Sequence, residues 1–278
     1  MKFICLDGNL LTGTTILSPD NRAFRYGDGI FETMKMINGR IILNEFHFER
    51  LFNSLRFLKY TIPVSFTAHS LEKSIKELAD KNDCSPLCRI RVTIFRGQGN
   101  LYPTPATLNY LVECNSLNPS VNEFNQQGLS IGIYKGAQKT CDELSTIKSA
   151  NFLPYVMAAM HAEENKLDDC LVLNANNAIA DASIANLFLI KKGEILTPAV
   201  NQGCVNGVMR RYLLNKLREN NYHCQETRLE EKDMANADEI FLTNAINGIR
   251  WVENVGGKRY ESTITRKLYN DFIKSIFS

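Results

Sequence analysis

The sequence predicts a mixed α+β fold in two domains, and three observations carry that prediction. Two-residue turn signals, Asp7-Gly8 and Asn38-Gly39, each separate short apolar runs and read as β-hairpins. Residues 44–60 and 67–82 carry apolar side chains at helical spacing. Residues 116–127 are polar, aperiodic and broken by Pro119, which makes them a linker between an N-terminal domain (1–115) and a C-terminal domain (128–278).

Length and composition narrow the function classes. With 278 residues and 44% hydrophobic content the chain can bury ample core. A formal charge of +2 is too small to argue for nucleic acid or an anionic membrane surface as partner. No apolar run approaches the ~18 residues of a membrane span. The start, MKFICLDGNLL, meets Asp7 and Gly8 too early for a signal-peptide core. Eight scattered cysteines read as buried thiols of a reducing cytoplasm, and the four histidines are isolated, so no metal site is expected.

In the N-terminal half, residues 2–6 and 9–11 form the first hairpin, and Ile30–Ile37 with Arg40–Leu43 the second. Before it lies RYGDGIFET, where two glycines mark a close backbone approach. Asn44 is placed to cap a helix running to Tyr60, with Phe48, Leu51, Phe52, Leu55 and Leu58 on its main stripe. Arg50 lies on a second stripe between Phe46 and Phe57. A guanidinium buried there cannot shed its proton, so it requires an anion. A helix over 67–82 follows, then strands at 89–95 and 107–113. Between those strands RGQGNLYPTPA is too long for a tight turn and reads as a lid or interface loop.

In the C-terminal half, strands are expected at 129–134, 170–173, 178–180, 185–190, 194–196 and 239–243, with a last helix over 266–276. Lys148 stands where a polar segment meets the run FLPYVMAAM, which predicts a helix buried on most sides, with Ser149 or Asn151 as its cap. An ordinary lysine is charged at neutrality, and freeing its amine costs about 4.6 kcal/mol. Desolvation lowers that cost, and lysines so placed form Schiff bases with carbonyls. Further on, the loop bearing Gly203 and Gly207 opens a helix at Val208, which offers unpaired N–H groups to a phosphate.

The stretches FRYGDGIFET (24–33), HFERLFNSL (47–55), KSANFL (148–153), DASIANLF (181–188), CVNGVMR (204–210) and EIFLTNAINGI (239–249) occur in the order found in fold type IV pyridoxal-phosphate enzymes. The sequence resembles that family, which includes branched-chain and D-amino acid aminotransferases and 4-amino-4-deoxychorismate lyases. The resemblance implies a small N-terminal α/β sandwich, a C-terminal pseudo-barrel with helices, pyridoxal 5'-phosphate in the interdomain cleft, and a homodimer.

It also implies roles. Lys148 matches the Schiff-base lysine, which moves the proton at the substrate carbon, and Arg50 the phosphate-binding arginine. Val208 and Met209 match the helix start that holds the same phosphate, and Asn244 and Ala245 a second phosphate-side turn. Asp181 falls where the family usually has a glutamate facing the pyridine nitrogen, and it is one methylene shorter. Phe31 stands where some members carry a tyrosine. Arg96 is the arginine left near a substrate carboxylate, because the loop after it lacks the second arginine that several members have.

VNGVMR and LTNA are most similar to the lyases, which release pyruvate and 4-aminobenzoate in folate synthesis. The alternative is an aminotransferase taking branched-chain or D-amino acids with 2-oxoglutarate. A third reading is a protein that binds the cofactor without catalysis.

Overall fold

The computed structural model describes residues 2–12, 17–102 and 108–278. The chain divides into two units, Met1–Pro119 with Lys148–Asn151, and Ser120–Ile147 with Phe152–Ser278. The short piece of the first unit that is remote in sequence is stitched to one strand. Phe31 N–H donates to the Lys148 carbonyl (2.9 Å) and Ala150 N–H to that of Gly29 (2.8 Å).

The first unit contains β1 (Phe3–Leu6), β2 (Asn9–Thr12), α1 (Arg22–Tyr26), β3 (Gly29–Ile37), β4 (Arg40–Ile41), α2 (Asn44–Phe57), α3 (Ala68–Lys81), β5 (Leu87–Arg96) and β6 (Leu108–Ser116). Its sheet runs β2-β1-β6-β5-β3-β4, antiparallel throughout. α2 packs on β3, and α3 on β1 and β6. The core is Leu51, Leu55, Leu71, Ile75, Leu78, Ile90, Val92, Ile94 and Val112, all buried. Each such side chain contributes roughly 1.5–3 kcal/mol on removal from water.

Two details differ from the sequence expectation. Leu43, at φ 55°, occupies the cap position of α2, and Asn44 is its first residue. The helix also stops at Phe57 instead of Tyr60, because Lys59 turns into the left-handed region at φ 57°. Of the loop read as a lid, residues 103–107 lie outside the described residues, as does the start of the strand expected at 107.

The second unit contains β7 (Leu129–Lys139), α4 (Leu153–Glu164), β8 (Asp169–Asn174), β9 (Ile179–Ala182), β10 (Asn186–Lys191), β11 (Glu194–Pro198), α5 (Val208–Glu219), β12 (Cys224–Thr227), α6 (Glu231–Ala235), β13 (Glu239–Asn244), β14 (Gly248–Val255), β15 (Lys258–Arg259) and α7 (Thr263–Leu268). The nine strands form one mixed sheet, β12-β11-β10-β13-β14-β7-β8-β9, with β15 on β14. β9 folds back against β10 and β11, which curls the sheet into a half-barrel. Leu171, Leu187, Leu189, Ile240 and Val252 fill it.

α4 is not buried on most sides. Tyr155, Ala158 and Ala162 pack on Cys170 and Val172, while Leu153, Val156, Met157 and Met160 are exposed. β7 and β8 cover only one flank, and the two alanines let the helix lie close on it. Neither Ser149 nor Asn151 caps it; Phe152 holds the cap position without a side-chain bond. The last helix starts earlier than expected and widens to a π turn at Tyr269–Ile273. β12 and β14 were not read from the sequence. β14 carries Arg250 and Glu253 among its apolar residues; it pairs antiparallel with β13 across the turn at 245–247 and parallel with the remote β7.

Candidate active site

In the first unit, successive residues of β3 point to opposite faces of the sheet. Glu32 faces α2 and is 2% exposed. Its two oxygens take Arg50, Nε to Oε1 at 2.7 Å and Nη2 to Oε2 at 2.6 Å. His47, one turn earlier on α2, meets Oε2 through Nδ1 at 2.7 Å. Burial alone would raise the Glu32 carboxyl, but the Arg50 charge and the bonds from His47 and Arg50 outweigh it and bring its pKa down to about 2. His47 is pushed below its ordinary value by burial, which outweighs the pull of Glu32; the charges of Arg50 and Lys148 push the same way. The ring is therefore neutral, and because a carboxylate only accepts, Nδ1 carries the proton. Nε2 is left a bare acceptor, buried and without a partner among the described residues.

Glu32 thus provides the anion that a buried Arg50 requires, a partner the sequence reading missed. Its signal was a glutamate inside the largely apolar run GIFETMKMI, where Lys35 is the one other charge.

The other face of β3 carries Phe31. Its ring meets the Arg91 guanidinium at 3.9 Å and the Lys148 ammonium at 4.6 Å from the centroid. Arg91, which the sequence reading did not single out, is half-buried on β5 and donates through Nε to Thr93 Oγ1 at 3.3 Å. Arg96 is used elsewhere: Nη1 holds Asp28 at 2.5 Å, Nη2 donates to the Leu58 carbonyl, and the guanidinium covers Tyr60. Asp28 also takes Arg22 at 2.8 Å. The pair of arginines braces the turn Gly27-Asp28-Gly29. There Gly27 needs φ +64°, and a Cβ would lie 2.5 Å from Asn151 Oδ1, so two of the quoted motifs meet.

In the second unit Asp181 is 2% exposed at the end of β9. Its Oδ2 accepts from the Tyr155 hydroxyl (2.7 Å), Val205 N–H (2.8 Å) and Lys139 Nζ (3.4 Å), and its Oδ1 from Asn186 Nδ2 (2.8 Å). Lys139 Nζ also donates to the Tyr155 hydroxyl and to the Ser145 carbonyl at 3.2 Å. Burial first, then the Asp181 charge, pushes the Tyr155 phenol well above its ordinary value, so it keeps its proton. Neither Lys139 nor Tyr155 was singled out from the sequence. Lys139 closes a polar stretch, and only the register of β7 against β8 carries it indoors.

Asn186 ties this cluster to the start of α5. It donates to the Val205 carbonyl at 2.9 Å, and a Cβ on Gly207 would stand 1.9 Å from its Oδ1. Gly207 holds the cap position with no side-chain bond and no acidic residue in the first turn, so Val208 and Met209 open a helix without a side-chain cap. α5 packs on β13. Beyond β13, Asn244 Oδ1 accepts from Ile246 N–H (3.0 Å) and Asn247 N–H (2.8 Å), so this side chain closes its own turn beside Ala245.

These donors suit a group with a phosphate at one end and a protonatable ring nitrogen at the other. The α5 start, opened by a glycine whose Cβ position is filled, has the chemistry for the phosphate. Asp181 Oδ1, with a single donor among the described residues, keeps an acceptor position for a ring N–H. Among the described residues, no cluster of three or more His, Cys, Asp and Glu is placed to hold a metal, and no helix is long and apolar enough to cross a membrane.

The chain is similar to known enzymes along most of its length. The chain is 26% identical to the aminodeoxychorismate lyase of Bacillus subtilis (strain 168) over 238 residues, 83% of this chain and 78% of that one. It is 24% identical to the D-alanine aminotransferase of Listeria innocua over 289 residues, 99% and 96% of the two. The fold superposes with a TM-score of 0.88 on the branched-chain aminotransferase of Thermoproteus uzoniensis, at 20% identity and covering 99% and 95%. Residues 29–255 match the family of class IV amino-transferases. With more than half its length matched, the chain is a class IV aminotransferase family member, an enzyme whose cofactor is pyridoxal phosphate.

Proposed function

We propose that this enzyme is a 4-amino-4-deoxychorismate lyase, with Lys148 as the amine that holds the cofactor and moves the proton at the amine-bearing carbon. One observation carries the choice of substrate. Lys148 and Arg91 both lie against Phe31, 4.6 and 3.9 Å from its ring centroid, so a guanidinium able to receive a carboxylate shares a ring with the proposed reacting amine. A cyclohexadiene that carries an amine and a carboxylate on one ring, with an apolar face to lay on Phe31, suits that set of groups. The similarity to the Bacillus subtilis lyase supports the same reading.

When bound, the cofactor supplies an electron sink next to the carbon that loses its proton. The chain's own residues do the rest. Arg50, held by Glu32, would bring a fixed positive charge to the phosphate, and the N–H groups of Val208 and Met209 would add a helix start. In the Asn244-Ala245 turn Asn244 Oδ1 holds the Ile246 and Asn247 N–H groups, so Ala245 N–H is the donor it would bring to the phosphate. Asp181 would receive the ring N–H and keep the nitrogen charged, while Phe31 would give the substrate ring an apolar wall. Proton loss at the amine-bearing carbon and cleavage of the neighbouring C–O bond release pyruvate, and the ring becomes aromatic.

A coupled assay tests this. Pyruvate and 4-aminobenzoate should appear in equal amounts from 4-amino-4-deoxychorismate. Glutamate formation from 2-oxoglutarate with branched-chain or D-amino acids, and no pyruvate from the cyclic substrate, would establish the aminotransferase instead. The protomer is expected to assemble as a homodimer, which a light-scattering mass of twice one chain would support.

A further inference from the structure

Lys139 is a second lysine placed inside the candidate site, and the reading above leaves it without a task. It is nine-tenths buried, its ammonium lies 3.4 Å from Asp181 Oδ2, and it also bonds the Tyr155 hydroxyl and the Ser145 carbonyl. A buried ammonium is costly to hold, and the Asp181 carboxylate is the anion that offsets it.

We propose that Lys139 is a positioning residue that shares Asp181 with the ring nitrogen of the cofactor and so weakens that nitrogen's hold on its proton. The inference rests on the reading that Asp181 faces the ring nitrogen. Among the described residues three donors crowd Oδ2 (Tyr155, Val205 and Lys139) and one, Asn186, meets Oδ1, so Oδ1 is the oxygen left to receive a ring N–H. A proton on the ring nitrogen then makes a second positive charge on one carboxylate. Like charges close together disfavour the protonated form, and the anion's attraction is already partly spent on Lys139. A less firmly protonated ring is a weaker electron sink. That suits an elimination whose product is aromatic, because the product's own stability supplies part of the driving force.

The measurement is the 15N chemical shift of ring-labelled pyridoxal phosphate in the holoenzyme, followed against pH. In Lys139→Met the pH at which the ring nitrogen loses its proton should rise by about one unit or more, a tenfold change in that equilibrium. Lys139→Arg, which keeps the charge, should stay at the wild-type midpoint. Should Lys139→Met fail to fold, Lys139→Gln reads the same effect with a neutral amide that can still donate to Tyr155. A merely structural salt bridge would lower the melting temperature of these variants and leave the midpoint where it was.

Asp181→Asn separates the two ideas. An unmoved midpoint in Lys139→Met and Lys139→Gln, with a shifted one in Asp181→Asn, overturns the role of Lys139 and keeps Asp181 at the ring. An unmoved midpoint in Asp181→Asn removes Asp181 from the ring and the proposal with it.

Discussion

Glu32 grips Arg50 through both carboxylate oxygens, at 2.7 and 2.6 Å, in a pair that solvent scarcely reaches. The guanidinium that the family resemblance assigns to a phosphate is thus already balanced and oriented by the protein. A strand and a helix meet at this contact, since β3 supplies the acid and α2 the base.

Replacing Glu32 with Gln should leave a buried guanidinium uncompensated, at a cost of about 3–5 kcal/mol. It should also flatten the acid limb of the stability curve. The folded pKa of Glu32, about 2, lies below its ordinary value of 4.5. The unfolded chain therefore takes up the proton first, and stability is lost as pH falls from 4.5 towards 2. His47 acts in the same sense below its ordinary value of 6.5, because burial keeps the folded ring neutral. Urea melts of both proteins between pH 2 and pH 8 check this. Parallel curves would show that the pair does not set the acid limb.

Gly207→Ala tests the packing that links Asp181 to α5. The backbone there, at φ −63°, suits any residue, so the cost is steric: the new Cβ would stand 1.9 Å from Asn186 Oδ1. We expect a loss of about 1–3 kcal/mol and weaker cofactor binding as Asn186 is pushed off Asp181. Adding Asn186→Ser should recover part of both. Additive penalties in the double-mutant cycle would mean the two sites do not touch.

Arg91 and Arg96 should separate cleanly. Arg91→Met removes the guanidinium on Phe31, and the loss of one charge-assisted bond of about 1.5–3 kcal/mol corresponds to roughly 10–150-fold in kcat/KM for a carboxylate substrate, with little change in melting. Arg96→Met unties Asp28 and the Leu58 carbonyl, so it should lower the melting temperature first. If Arg96→Met alone raised KM at unchanged stability, the substrate carboxylate would belong with it.

Lys148→Ala should abolish turnover and any label fixed by borohydride reduction, at little cost in folding. The substitution keeps the backbone carbonyl that accepts the Phe31 N–H and removes the ammonium from the Phe31 ring. Peptide mapping of the reduced wild-type enzyme should find the cofactor on Lys148, and a label on Lys139 would transfer the covalent role to that residue.

Much was legible along the chain because it depends on near neighbours. The turns at Asp7-Gly8 and Asn38-Gly39, the stripes of α2 and α3, and the glycine-led start of α5 follow from local backbone preference and helical period, and the motifs around Lys148 and Asp181 announced the cofactor's chemistry. Interactions between distant residues were not legible in that way. That Arg50 answers to Glu32, that Arg91 and not Arg96 lies on Phe31, and that Lys139 turns inward to Asp181 depend on strand register and on the helix face that meets a sheet. A charged side chain looks the same in sequence whether water or a buried partner neutralises it. Packing makes that choice, because only burial makes an unpaired charge too costly to leave alone.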